Sequence, residues 1–144
     1  MEKFYTIQEV SSMTGIPSST LRYYDKEGLL PFLTRSARGY RLFSERDLTT
    51  LQLLECLKST GMSIREMKQY ARWLEEGDAS LQERYDMFRN RKAIVREQME
   101  ELRKRMDVIE HKCRYYKKAL ELGSEKTLLS IRLPHADEFL SQKS

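Results

Sequence analysis

The stretch TLRYYDKEGLLP, Thr20 to Pro31, decides how this chain folds. Leu21 and Tyr24 lie three residues apart and share one side of a helix, while Tyr23 and Tyr24 are adjacent and cannot share a face. Gly28 ends that helix and Pro31 prevents its resumption. Upstream, Ile16-Pro17 opens the helix, and Ser18 or Ser19 reads as its N-cap. Before it, Thr6-Ile7-Gln8-Glu9 has capping-box form, in which a hydroxyl and a carboxylate three residues apart satisfy opposing amides. Ile7, Val10 and Met13 then follow at helical spacing until Gly15. Two short helices joined by a turn of about four residues have helix-turn-helix spacing.

Downstream the period changes. Phe32-Leu33-Thr34 and Tyr40-Arg41-Leu42-Phe43 read as two short strands around Arg35-Ser36-Ala37-Arg38-Gly39. In the second strand Tyr40 and Leu42 are expected to alternate against Arg41 and Phe43. Three arginines and no acid fall between residues 35 and 41, a cationic loop suited to phosphate. Taken alone this could be a surface hairpin, but directly behind a helix-turn-helix it reads as a wing. Ser44 caps a third helix whose Leu48, Leu51, Leu53, Leu54 and Leu57 supply a core, ending at Gly61. Ser63-Ile64-Arg65-Glu66 starts a fourth, with Met67, Tyr70, Ala71 and Leu74, ending at Gly77. Ser80-Leu81-Gln82-Glu83 is a third capping-box pattern.

From Ser80 to Leu122 the chain has no proline or glycine. Leu81, Tyr85, Phe88, Lys92, Val95, Met99, Leu102, Met106, Ile109, Cys113, Tyr116 and Leu120 follow alternate steps of four and three, and eleven of these twelve positions are apolar or thiol. Such periodicity over more than five heptads indicates a coiled coil. A helix of about 60 Å, at 1.5 Å per residue, is longer than the preceding residues can cover. It therefore needs a partner helix, most simply a second copy. Phe88, Val95, Met99, Leu102, Met106, Ile109, Cys113 and Tyr116 are the expected dimer contacts. Lys92 either fixes register or reaches solvent along its stem. Residues 124–144 mix Leu128, Leu129, Ile131, Leu133 and Pro134 with polar groups, and read either as a packed extension or as a frayed end.

The predicted organisation is a winged helix-turn-helix DNA-binding domain over 1–77, a dimerisation helix over 80–122 and a tail over 123–144, mainly α with a small β-hairpin. The 144-residue chain carries a formal net charge of +4, with 40% hydrophobic and 33% charged residues. That is a soluble, helix-rich profile, and a charge this mild does not by itself imply nucleic acid. No apolar run reaches the ~20 residues needed to span a bilayer, and no signal-peptide pattern opens the chain, so a cytoplasmic location without membrane contact is expected. Two cysteines, Cys56 and Cys113, are too few for a disulfide framework. No nucleophile–base–acid arrangement or phosphate loop is present, which argues against an enzyme. A coiled-coil adaptor would explain the second half alone.

The run Thr6 to Pro17 followed by LRYYDKEGLLP, the wing residues Arg38-Gly39-Tyr40-Arg41-Leu42-Phe43 and the later Leu57-Lys58-Ser59-Thr60-Gly61-Met62-Ser63-Ile64 together resemble the MerR family of bacterial transcriptional regulators over about residues 4–122. The resemblance implies a homodimer with an antiparallel coiled coil. It also implies a dyad in double-stranded promoter DNA with an over-long spacer, which the activated dimer bends and untwists so that RNA polymerase engages both elements. The second helix would then enter the major groove. Ser18, Ser19 and Thr20 would meet base edges or phosphate near free amides, Arg22 would contact guanine or phosphate, and Tyr23 would point to phosphate. Arg38, Tyr40 and Arg41 would meet the backbone or minor groove. Ser63 and Arg65 would hold a further phosphate, although Ser63 is equally a plain N-cap, and Thr6 and Lys26 complete the set.

Metal-sensing relatives carry cysteines after the dimer helix, where this chain has none. His111 and Cys113 face apart on a helix, so no metal or other cofactor is expected. The stretch LLECLKSTGMSIREM resembles a subgroup that answers aldehydes and other electrophiles through one cysteine, which would make Cys56 the sensing residue. Its neighbours one turn away, Gln52, Leu53, Ser59 and Thr60, include no cation to activate it, so an inert boundary cysteine is the competing reading. The remaining alternatives are a regulator whose signal is a small ligand or metal, and a winged-helix architectural or excision-type DNA-binding protein.

Overall fold

In a computed structural model describing residues 2–143, the chain forms two compact units, divided after Arg91. The first holds β1 (Phe4–Tyr5), α1 (Ile7–Thr14), α2 (Ser18–Lys26), β2 (Thr34–Arg35), β3 (Arg41–Ser44), α3 (Glu45–Ser59), α4 (Ile64–Glu76) and the first turns of α5 (Leu81–Leu122). The second holds the rest of α5 and α6 (Ala136–Ser141).

Capping chemistry sets the helix starts. Thr6 Oγ1 accepts from Glu9 N, Ser44 Oγ from Asp47 N and Ser63 Oγ from Glu66 N, each at 3.2 Å. Each such cap contributes about 1 kcal/mol. At Ser44 the box is complete, since Asp47 Oδ2 accepts the Ser44 amide at 2.9 Å. Gly15 closes α1 with φ 75°, a left-handed conformation open to glycine without side-chain cost. α2 departs from expectation. Its N-cap is Pro17, with no side-chain bond, so Ser18 and Ser19 lie inside the first turn rather than capping it. Proline suits an entrance where amides are unpaired in any case.

The sheet has three strands in the order β1-β3-β2, not two. Phe4 and Tyr5 pair antiparallel with Ser44 and Phe43, and Thr34 and Arg35 with Leu42 and Arg41. Phe43 is fully buried and Tyr40 is 70% exposed, on the opposite faces that the alternation assigns them, while Arg41 and Leu42 between them are both half-buried. Val10, Leu21, Tyr24, Leu29, Phe43, Leu51, Leu54 and Met67 form the core of this unit, with Leu48 and Leu53 packed at its edge. Met13, expected on the apolar face of α1, is exposed.

The α4–α5 corner is also not a capping box. A 3₁₀ turn, Gly77–Ser80, joins the helices, and the buried Ser80 hydroxyl donates to Trp73 O and Gly77 O while accepting from Arg84 Nε at 3.1 Å. The serine is spent on the corner instead of on Glu83. Beyond it, Phe88 meets Tyr70 edge-on with ring centroids 5.4 Å apart, and Arg91 donates to Glu66 Oε2 at 3.1 Å. Phe88, expected in the dimer seam, packs against the core of its own unit.

In the second unit Gly123 ends α5. Residues 124–143 fold back on that helix: Tyr115 is buried and donates to Glu125 Oε2 at 2.8 Å, and Lys104 pairs with Glu138 at 2.7 Å. Burial, then the bond to Glu125, raises the Tyr115 phenol to about 12. The tail is a packed extension. Along the other face of α5, Met99, Leu102, Met106, Ile109, Tyr116 and Leu120 are exposed, Leu102 at 60%. No helix among the described residues is long and apolar enough to cross a membrane.

Candidate nucleic-acid interface

Ser19, Arg22, Tyr23 and Lys26 stand at i, i+3, i+4 and i+7 of α2, and so share one face. That face lines a groove of about 470 Å³ together with Asp25, Arg35 and Arg41. The opposite face carries Leu21 and Tyr24, both buried in the core. Burial of those two residues therefore fixes which way the cationic row points. Tyr24 is also tied to α3, donating to Glu55 Oε1 at 2.6 Å, and burial and then this bond push its phenol well above the ordinary range.

Asp25 is the one acid in the groove. Its Oδ2 accepts from Arg41 Nε and Arg35 Nη2, each at 2.8 Å. Charge-assisted hydrogen bonds of this length are roughly twice as strong as neutral ones, and here they fasten the wing to the side of α2. Arg35 also donates to Gly39 O at 3.4 Å. Across the wing turn Ser36 N donates to Tyr40 O at 2.8 Å, and Gly39 sits at φ 86°, where a side chain would be strained. Lys68 of α4 pairs with Glu27 at the end of α2, a second brace on the same helix.

Of the residues expected on DNA, the structure brings together Ser19, Arg22, Tyr23, Lys26 and Arg41. Arg38 and Tyr40 are exposed near the wing turn, outside the groove. Ser18 and Thr20 are half-buried at the start of α2. Thr6 and Ser63 are helix caps, and Arg65 is exposed in the first turn of α4. Arg35 and Asp25 were not singled out from sequence. Arg35 was visible as part of the cationic loop, whereas an acid on a helix expected to meet DNA becomes informative only once its partners are known. Cys56 and Cys113 are both exposed thiols.

A helix presenting cations beside a braced three-stranded wing defines a winged helix-turn-helix DNA-binding protein. Residues 5–74 match the MerR HTH family regulatory protein model, and residues 48–112 match the MerR DNA-binding model. An uncharacterized HTH-type transcriptional regulator of Haemophilus influenzae is 42% identical over 134 residues, 93% of this chain and 97% of its own length. The crystal structure of HiNmlR, described as a MerR family regulator lacking the sensor domain and bound to promoter DNA, is similar at 42% identity and a TM-score of 0.79, covering 88% of this chain and all of that one. A MerR family transcriptional regulator from Bacillus thuringiensis is similar at 38% identity and a TM-score of 0.71, over 77% of this chain and 97% of that one. The chain belongs to the MerR family and is a DNA-binding transcriptional regulator, not an enzyme.

Proposed function

We propose that this regulator acts in the cytoplasm as a homodimer on a dyad in promoter DNA, and activates transcription by distorting a long spacer for RNA polymerase. The observation that carries the DNA-binding geometry is the groove in which Arg22, Lys26, Arg35 and Arg41 surround Asp25. Placing α2 in the major groove sets Ser19, Arg22 and Tyr23 toward bases and phosphates, with the wing against the backbone. Arg38, Tyr40 and Arg65 lie exposed and add outer phosphate contacts. Residues 1–77 serve as the DNA-binding domain, 80–122 as the dimerisation helix and 123–144 as its covering tail.

The exposed apolar row from Met99 to Leu120 supports the dimer, since a stripe so regular is covered by another helix in coiled coils. The antiparallel arrangement and the spacer mechanism rest on family membership. The solved complex of HiNmlR with promoter DNA supports the target. Footprinting with the purified protein tests the reading. Protection of two half-sites within a spacer between promoter elements is expected, whereas protection only at repeated sites away from promoters points to an architectural protein.

Cys56 is the sensing residue in this reading. Its thiol is open to an incoming electrophile, and the adjacent Glu55 holds Tyr24 of α2, a short route from the cysteine to the DNA-facing helix.

A further inference from the structure

The C-terminal segment carries a charged cluster that does not line the α2 groove. His135 precedes α6, and its ring lies between two carboxylates: Nε2 is 2.9 Å from Asp107 Oδ2 of α5, and Nδ1 is 3.4 Å from Glu138 Oε1 of α6. A neutral imidazole has one N–H and one bare lone pair, so it serves only one carboxylate and turns its lone pair toward the other. The imidazolium donates to both. His135 is also the one non-glycine residue at positive φ among those described, at 62°, a conformation disfavoured for a side-chain-bearing residue. The tail passes through that turn to its docked position, and the ring contacts add to the Lys104–Glu138 pair in holding it there.

We propose that His135 is a pH-responsive latch, holding α6 on α5 while its ring is protonated and loosening the segment when the ring loses its proton.

The charged groups around it make the response graded. From α5, Arg103 pairs with Asp107 at 3.1 Å, and Lys104 with Glu138 at 2.7 Å and with Glu101 at 4.0 Å. From the tail, Arg132 pairs with Asp137 at 3.1 Å. When His135 is neutral, Asp107 and Glu138 each retain a cation, but neither of those pairs passes through the strained turn. The hydrogen bond to Asp107 first, and that to Glu138 next, raise the ring above its ordinary 6.5. A raised folded value means that the latch contribution is complete below the ordinary value and is lost as pH rises through the raised one. Loosening would open the groove of about 600 Å³ between α5 and the tail, where Val108, Leu133, Phe139 and Leu140 lie.

Amide hydrogen exchange on the full-length protein, corrected for intrinsic exchange, tests the latch. Protection of residues 136–141 should fall about threefold or more between about pH 5.5 and 8.5, while α3 of the same molecule stays protected. His135→Gln should remove the pH dependence, and His111→Gln, at the only other histidine, should leave it intact. Protection that does not change with pH, or that changes equally in His135→Gln, overturns the proposal. A direct NMR titration of the His135 ring in the wild-type protein gives a reading independent of any variant. A midpoint above 6.5 is expected, and one at or below it overturns the latch.

Discussion

Arg41 Nε donates to Asp25 Oδ2 at 2.8 Å, joining the wing to α2 through side chains that are 23% and 17% exposed. A carboxylate in a groove otherwise lined by cations looks misplaced until its partners are counted. It holds two guanidinium groups at a set distance from α2, so it shapes a cationic surface to which it adds no positive charge.

Asp25→Ala should therefore weaken DNA binding although it removes a negative charge from the interface. About tenfold lower affinity is expected, on the scale of one charge-assisted hydrogen bond. The melting temperature should also fall, by about a few degrees, as the wing loses its tie to α2. Equal or tighter binding in a gel-shift titration at fixed salt would show that the brace has no role.

Arg22→Ala and Arg38→Ala should separate two kinds of contact. If Arg22 reads a base edge, its loss costs about 1–3 kcal/mol on the operator and relaxes specificity at one position. Arg38, near the wing turn, should weaken specific and non-specific duplexes alike and reduce the salt slope by about one. Identical behaviour of the two variants in a salt series on both duplexes would contradict the assignment.

Leu102→Glu places a charge in the middle of the exposed apolar row of α5. Sedimentation should show monomers where the proposed wild-type dimer is expected, with the melting transition of the first unit retained. Leu54→Ala, in the buried core, should instead cost about 2–5 kcal/mol of stability at any concentration. A Leu102→Glu protein that remains dimeric would displace the seam.

Tyr24 supplies a pH-dependent test. Its phenol is raised by burial and by Glu55, so its contribution is complete below the ordinary value near 10 and is lost as pH climbs above that. Denaturant midpoints should fall above about pH 10, and less steeply in Tyr24→Phe. At neutral pH that variant should be about 1–2 kcal/mol less stable, because Glu55 loses its donor. Equal slopes in alkali for both proteins would exclude Tyr24 as the source.

Cys56→Ser should bind DNA normally but no longer respond to aldehyde or quinone stress in a promoter-reporter assay. Cys113→Ser should respond like the wild type. Normal induction of the Cys56→Ser protein removes this residue from sensing.

What was legible in the sequence was whatever is settled within about one helical turn. Thr6 with Glu9 and Ser63 with Glu66 announce helix starts because donor and acceptor are three residues apart, and Ser44 reads as a cap whose partner Asp47 only the structure names. Ser80 with Glu83 has the same spacing and failed, since the Trp73 and Gly77 carbonyls claim the hydroxyl first. The two-residue strand β1 was invisible because its pairing lies some forty residues away at Phe43 and Ser44. In the candidate interface the placement of Ser19, Arg22, Tyr23 and Lys26 on DNA came from the family resemblance, and helical spacing puts those four on one face. The Asp25 brace was legible in neither, because its partners are 10 and 16 residues distant and become neighbours only after the wing folds back.

The heptad pattern of α5 crosses a change of partner that its spacing does not reveal: Phe88 is covered by Tyr70 of the same chain, while Ile109 of the same stripe is left bare. One repeat thus contributes to two processes of different molecularity. Contacts at Phe88 form in a first-order step whose midpoint is indifferent to dilution. In the proposed homodimer, those at Ile109 form in a second-order step whose midpoint moves with protein concentration. Substitutions at Phe88 and Ile109, 21 residues apart on a single continuous helix, would be told apart by diluting the sample.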